Sequence, residues 1–88
     1  MTNTMKSPAM IINFYTTSGC HLCEQALAML QKLALDVTIV EVEIADDERL
    51  LAKYGLIIPV VNVADTGQEI GWPFSAEELK VFIGGQVV

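Results

Sequence analysis

The stretch Thr16-Thr17-Ser18-Gly19-Cys20-His21-Leu22-Cys23 decides how the rest of the chain is read, and it holds both of its cysteines. It joins an apolar, partly β-branched run, Met10 to Tyr15, to a segment of helical periodicity from His21 to Leu35. A cysteine at a helix N-terminus has its thiolate favoured by unpaired backbone N–H groups and by the positive end of the helix dipole. Cys20 sits where that help is available. Cys23, three residues later, lies one turn further along the same face, so the two sulfurs can meet in a disulfide. Ser18 can cap the helix, and Gly19 lets the backbone turn tightly and approach a substrate closely.

Other uses of a Cys-x-x-Cys pair fit less well. Zinc wants four ligands, and His21 is the only histidine, so a carboxylate or water would have to complete such a site. Covalent haem attachment needs a histidine after the second cysteine, where this chain has Glu24. A structural staple across so short a loop removes little chain entropy from the unfolded state. A redox pair is therefore the favoured reading, with no bound metal. His21 is either an exposed spacer or a tuning group. A protonated imidazole beside Cys20 would hold the thiol below the ~8.5 of a free cysteine.

With 88 residues the chain has the size of one domain, and its 52% hydrophobic content excludes a disordered chain. No uninterrupted apolar run approaches the ~20 residues of a membrane span. The net charge is −6, and the five basic residues are scattered, so the cationic footprint of a nucleic-acid binder is missing. The acids gathered at Glu41 to Glu48 read as a solvated edge and a helix start. Met1 to Pro8 is polar and reads as a loose leader before a single domain over residues 9–88. Ala9 to Tyr15 is short, contains Asn13 and leads directly into the cysteine motif, so it does not read as a signal-peptide core. The expectation is a soluble, cytoplasmic protein without a membrane partner, in a compartment that favours transient over structural disulfides.

The remaining elements follow in order. Met10 to Tyr15 has the density of a central strand. In the first helix Leu22, Cys23, Ala26, Leu27, Leu30, Leu33 and Ala34 form the apolar stripe, which turns Cys23 inward and leaves Cys20 accessible at the tip. Val37 to Ile44 reads as a strand whose later half, alternating with Glu41 and Glu43, suits a sheet edge. Asp46, Asp47 and Glu48 open a short helix with Leu50, Leu51 and Tyr54 inward and Gly55 at its end. Pro59 cannot donate within a ladder and marks the start of a third strand to Ala64. Asp65-Thr66-Gly67 turns the chain into a brief strand, Glu69 to Trp72. Ser75 and Glu78 form a capping box for a last helix with Leu79, Phe82 and Ile83 inward, ended by Gly84-Gly85.

This βαβαββα order, with Cys-x-x-Cys at the first strand-to-helix turn, resembles the thioredoxin superfamily, and Tyr15-Thr16-Thr17-Ser18-Gly19-Cys20-His21-Leu22-Cys23-Glu24 is most similar to its glutaredoxin-like branch. The resemblance implies an α/β fold: a four-stranded mixed sheet, the first two strands parallel, the hairpin antiparallel, helices on both faces. It implies a thiol-disulfide oxidoreductase serving cell redox homeostasis, with Cys20 as nucleophile and Cys23 as resolving thiol. Ile58-Pro59 matches the family's loop with a cis-proline, which offers the Ile58 backbone N–H and carbonyl to a substrate. Gly19 and Trp72 complete the expected substrate contacts, although Trp72 also reads as a core or rim aromatic. Glutathione as reductant is compatible with the resemblance, but Thr17 replaces the branch's basic residue, His21-Leu22 its Pro-Tyr pair, and Gly71 to Ser75 only faintly echo its Gly-Gly-Asp. The implied partner is a disulfide-containing protein or a low-molecular-weight thiol, met by a monomer. The rival is a non-catalytic adaptor that docks a protein on Ile58-Pro59, Trp72 and Phe74.

Overall fold

The computed structural model describes residues 10–33 and 36–85, so the expected leader and the end of the expected first helix, Ala34 and Leu35, lie outside the described residues. The order is β1 (Met10–Thr16), α1 (His21–Lys32), β2 (Val37–Glu43), α2 (Glu48–Tyr54), β3 (Val60–Val63), β4 (Glu69–Gly71) and α3 (Ala76–Gly84). The strands form one sheet in the order β2-β1-β3-β4, with β1 parallel to β2 and antiparallel to β3, and β3 antiparallel to β4. The mixed sheet and the edge position of β2 agree with the sequence reading.

Strand alternation divides the molecule into two layers, because successive side chains point to opposite faces. Ile12 and Phe14 of β1 lie opposite Val63 and Val61 of β3, and all four are buried in one cluster with Cys23, Ala26 and Leu30 of α1 and Leu79 and Ile83 of α3. Tyr15 and Val60 face the other way, where Tyr54 of α2 and Ile44 close a smaller cluster. Tyr15 and Tyr54 stack there with ring centroids 4.2 Å apart. Each large side chain fully removed from water contributes about 1.5–3 kcal/mol before entropy is subtracted, which makes the first cluster the main source of stability.

Local chemistry sets the helix ends. Asp47 caps α2 by accepting the Arg49 and Leu50 N–H groups, at 2.9 and 3.2 Å. The capping box of α3 is complete: Glu78 N–H donates to Ser75 Oγ at 3.0 Å and Ser75 N–H to Glu78 Oε1 at 2.8 Å. Two expected core leucines are not core. Leu22 is 43% exposed and Leu51 48% exposed. Each directly precedes or follows an inward residue, and a helix step of about 100° carries it off the sheet-facing arc.

Candidate active site

The loop from β1 to α1 is held by a residue far away in sequence. Thr16 of β1 pairs in parallel register with Glu43 of β2, so the C-terminal ends of both strands reach the cysteine loop together. Glu43 then uses both carboxylate oxygens: Oε1 accepts the Ser18 N–H at 3.1 Å and Oε2 the Ala45 N–H at 2.9 Å. The Thr17 hydroxyl bonds it as well, and these hydrogen bonds, Thr17 foremost, hold its carboxyl below the ordinary carboxylate range. Gly19 follows at φ +78°, the left-handed region that suits glycine; a Cβ there would meet nothing within 4 Å, so the requirement is conformational.

After that turn Cys20, not Ser18, is the N-cap of α1. Cys20 is extended at φ −90° and ψ 105°, and its Sγ accepts the Cys23 N–H at 3.1 Å. The expectation of a Ser18 cap fails because the left-handed turn at Gly19 sets Ser18 apart from the first helical residue, His21, and leaves Cys20 in the capping place. Cys20 and Cys23 are joined as a disulfide with Cα atoms 5.2 Å apart. Cys23 is 2% exposed within the larger core cluster, whereas Cys20 is half-buried at the rim. The inward second and accessible first cysteine match the stripe read from the sequence.

A cleft of about 270 Å³ opens beside the disulfide. Gly19, Cys20, Cys23 and Phe14 line it together with Glu24, Glu41 and Glu43. The two β2 acids had read as a solvated edge. Their i, i+2 spacing, which puts both on the α1 side of β2, was the available signal; what was missing was the register that brings this end of β2 to the cysteines. His21 is 91% exposed, and its Nδ1 lies 3.8 Å from Glu24 Oε1.

The other expected site residues form a second group. Ile58-Pro59 is cis, as expected, and Trp72-Pro73 is also cis, which was not foreseen. The Trp72 N–H donates to the Pro59 carbonyl at 3.0 Å, joining the two loops. Ile58 and Trp72 pack against the cluster that contains Cys23 but do not line the acidic cleft. One expectation needs correcting: the Ile58 N–H donates to the Tyr54 carbonyl at 3.0 Å and is committed to the fold rather than offered to a substrate. The surface imagined for an adaptor also contracts, because Pro59 is buried and Phe74, 5% exposed, receives Trp72 edge-on at 5.2 Å. Among the described residues no cluster of three or more His, Cys, Asp or Glu could hold a metal ion, and no helix is long and apolar enough to cross a membrane.

A mixed sheet in this order, helices on both faces and a cysteine pair at the β1–α1 turn define a protein of thioredoxin-like fold. Residues 11–84 match the model of the glutaredoxin-like domain family (DUF836), and the chain belongs to that family. A structural-genomics target protein from X. campestris is similar at 34% identity, over 84% of this chain and 96% of that one, with a TM-score of 0.77. The fold is shared at lower identity by protein Ne2328 from Nitrosomonas europaea (22%, over 93% of this chain and 98% of that one, TM-score 0.67). A mutant thioredoxin from Halobacterium salinarum shares it too (18%, over 88% and 74%, TM-score 0.66). No curated protein matches the chain.

Proposed function

We propose that this protein is a thiol-disulfide oxidoreductase of glutaredoxin-like type. The observation that carries the reading is the placement of Cys20 at the head of α1, half-buried at the mouth of a cleft, with Cys23 bonded to it from inside the core. In the reduced protein the Cys20 thiolate attacks a disulfide R–S–S–R′, forming Cys20–S–S–R and releasing R′S⁻. Cys23, as thiolate, then attacks Cys20 Sγ, releasing RS⁻ and closing the Cys20–Cys23 disulfide. Two electrons have passed from the protein to the substrate, and two equivalents of a low-molecular-weight thiol, glutathione among them, return the pair to dithiol. Ile58, Pro59, Gly19 and Trp72 border the path of the substrate. The protein works as a monomer in a reducing compartment, the cytoplasm.

The Cys23 N–H directed at Cys20 Sγ supports the anion at that sulfur. His21, adjacent in sequence, adds a positive charge when protonated. The test is reduction of hydroxyethyl disulfide, with titration of the pair against dithiothreitol redox buffers. Cys20→Ser abolishes turnover, and Cys23→Ser accumulates a mixed disulfide visible by mass. Retained turnover in Cys20→Ser would overturn the reading. In His21→Ala the Cys20 thiol pKa, read from alkylation rate against pH, rises and the couple becomes less oxidising; unchanged values would reduce His21 to a spacer.

A further inference from the structure

The side of β2 that faces α1 changes character along its length. Val37 and Ile39 pack against the larger core cluster, while Glu41 and Glu43, next on the same side, line the cleft beside the cysteines. Glu24 of α1 supplies a third acid to the wall. Against these stand no basic side chains: Lys32, Arg49, Lys53 and Lys80, the basic residues of the described part, all lie elsewhere. Glu43 is fixed in place by the Ser18 and Ala45 N–H groups. Its negative charge is thus a permanent part of the wall at neutral pH, and among the described residues Glu41 makes no ion pair that would cancel its own. Among the described residues Glu24 pairs only with the exposed His21, at 3.8 Å, a contact screened by solvent.

We propose that this cleft makes Cys20 selective for cationic disulfides, those carrying ammonium or guanidinium groups within a few bonds of the sulfur, such as a basic peptide segment or an aminothiol disulfide. The inference rests on the reading above that Cys20 is the attacking thiol. Cys20 lines this cleft, so a group attached to the attacked sulfur can lie beside the acidic wall. A cation there is attracted and an anion repelled, both in the encounter and in the mixed disulfide. Glutathione disulfide, with net negative charge, falls on the disfavoured side. The electron count is unchanged: the dithiol gives two electrons, and the cationic disulfide leaves as two thiols once the thiolates take up protons.

The experiment uses the full chain, reduced with dithiothreitol and freed of it. Second-order rates of oxidation are measured with cystamine, hydroxyethyl disulfide and dithiodipropionate, which carry positive, zero and negative charge on similar short arms. Each rate is divided by that of the same disulfide with dithiothreitol, so that intrinsic disulfide reactivity cancels. The normalised cystamine-to-dithiodipropionate ratio is expected to be roughly tenfold at low salt and to fall several-fold in about 1 M salt, where the screening length is a few ångströms. Glu24→Gln/Glu41→Gln lowers the ratio at least about threefold, as expected for removing two nearby charges. Glu48→Gln/Glu77→Gln, which removes the same charge away from the cleft wall, leaves it within about a factor of two. A normalised ratio near one in the unaltered protein overturns the inference, as does an equal loss in both double variants. The salt series on the unaltered protein decides the matter even where a variant fails to fold. The neutral disulfide separates the two claims: if it too fails to oxidise the pair, the oxidoreductase reading falls and the selectivity with it, whereas brisk oxidation with a ratio near one removes the selectivity alone.

Discussion

Toward α1 and α3 the sheet presents Ile12, Phe14, Val61 and Val63; toward α2 it presents Asn13, Tyr15, Val60 and Asn62. The first face is filled by apolar volume. The second carries a chain of directed contacts: Asn13 Nδ2 donates to Asn62 Oδ1 at 3.1 Å, Asn62 Nδ2 to Glu69 Oε2 at 2.9 Å, and the Tyr54 hydroxyl to the same Glu69 oxygen. Cost on the first face should therefore follow the size of the side chain removed, and on the second its hydrogen-bonding capacity. The cysteine pair belongs to the first face, since Cys23 is part of that cluster. Thinning the dry core loosens the floor beneath the disulfide, while editing the polar face leaves it in place.

The sharpest way to break this contrast is Phe14→Ala. Phe14 is 1% exposed, and the variant should lose about 3–5 kcal/mol in urea unfolding. A loss below about 1 kcal/mol would mean that the α1–α3 face is not the principal core. On the other face Tyr54→Phe keeps the ring and its stacking on Tyr15 but removes the hydroxyl, so the expected loss is near 1 kcal/mol.

Tyr54 also makes the contrast depend on pH. Burial, followed by the Glu69 carboxylate, pushes its phenol well above the usual value. In that alkaline window the folded state holds a proton that the unfolded state releases. The contribution is thus complete below the ordinary tyrosine pKa of about 10 and declines as pH rises beyond it. Urea unfolding at about pH 8 and about pH 11 should show a steeper loss for the unaltered protein than for Tyr54→Phe. Parallel losses would mean that Tyr54 ionises freely in the fold.

The smallest expected effect concerns the clamp at the cysteine loop. The Glu43 carboxyl is held low, so its grip on Ser18 and Ala45 is complete above the ordinary carboxylate pKa and is lost as pH falls through the lowered value. Amide chemical shifts of Ser18 and Ala45, followed through acid titration, should move together with a midpoint below that ordinary value and remain flat in Glu43→Gln. A midpoint at the ordinary value would show that Glu43 is free in solution.

What the sequence disclosed depended on how far apart the interacting residues are. The Ser75–Glu78 capping box, the acidic start of α2 and the inward Cys23 could be read because each is set by neighbours within one helical turn. The parallel and antiparallel strand directions and the cis bond before Pro59 became legible through the resemblance rather than through propensity. The clamp on the cysteine loop was hidden, because the Ser18 N–H is held by a residue 25 positions away. The acidic cleft was hidden for the same reason, since alternation in β2 marks a face without saying what stands opposite. Leu22 and Leu51 show the limit of periodicity itself: one step around a short helix separates core from solvent.

One consequence of the N-cap has thermodynamic reach. The atom that receives the Cys23 N–H is the same Sγ whose oxidation state changes in the proposed exchange. A sulfur anion is a stronger acceptor than a disulfide sulfur, so the first turn of α1 is tied down more firmly in one redox form than in the other. In a closed cycle of folding and oxidation, any free energy that the helix start gains on reduction must reappear as a shift in the midpoint of the couple. Under the proposed exchange the opening turn of α1 acts as a set-point for electron affinity, and a residue there retunes the couple without touching a substrate.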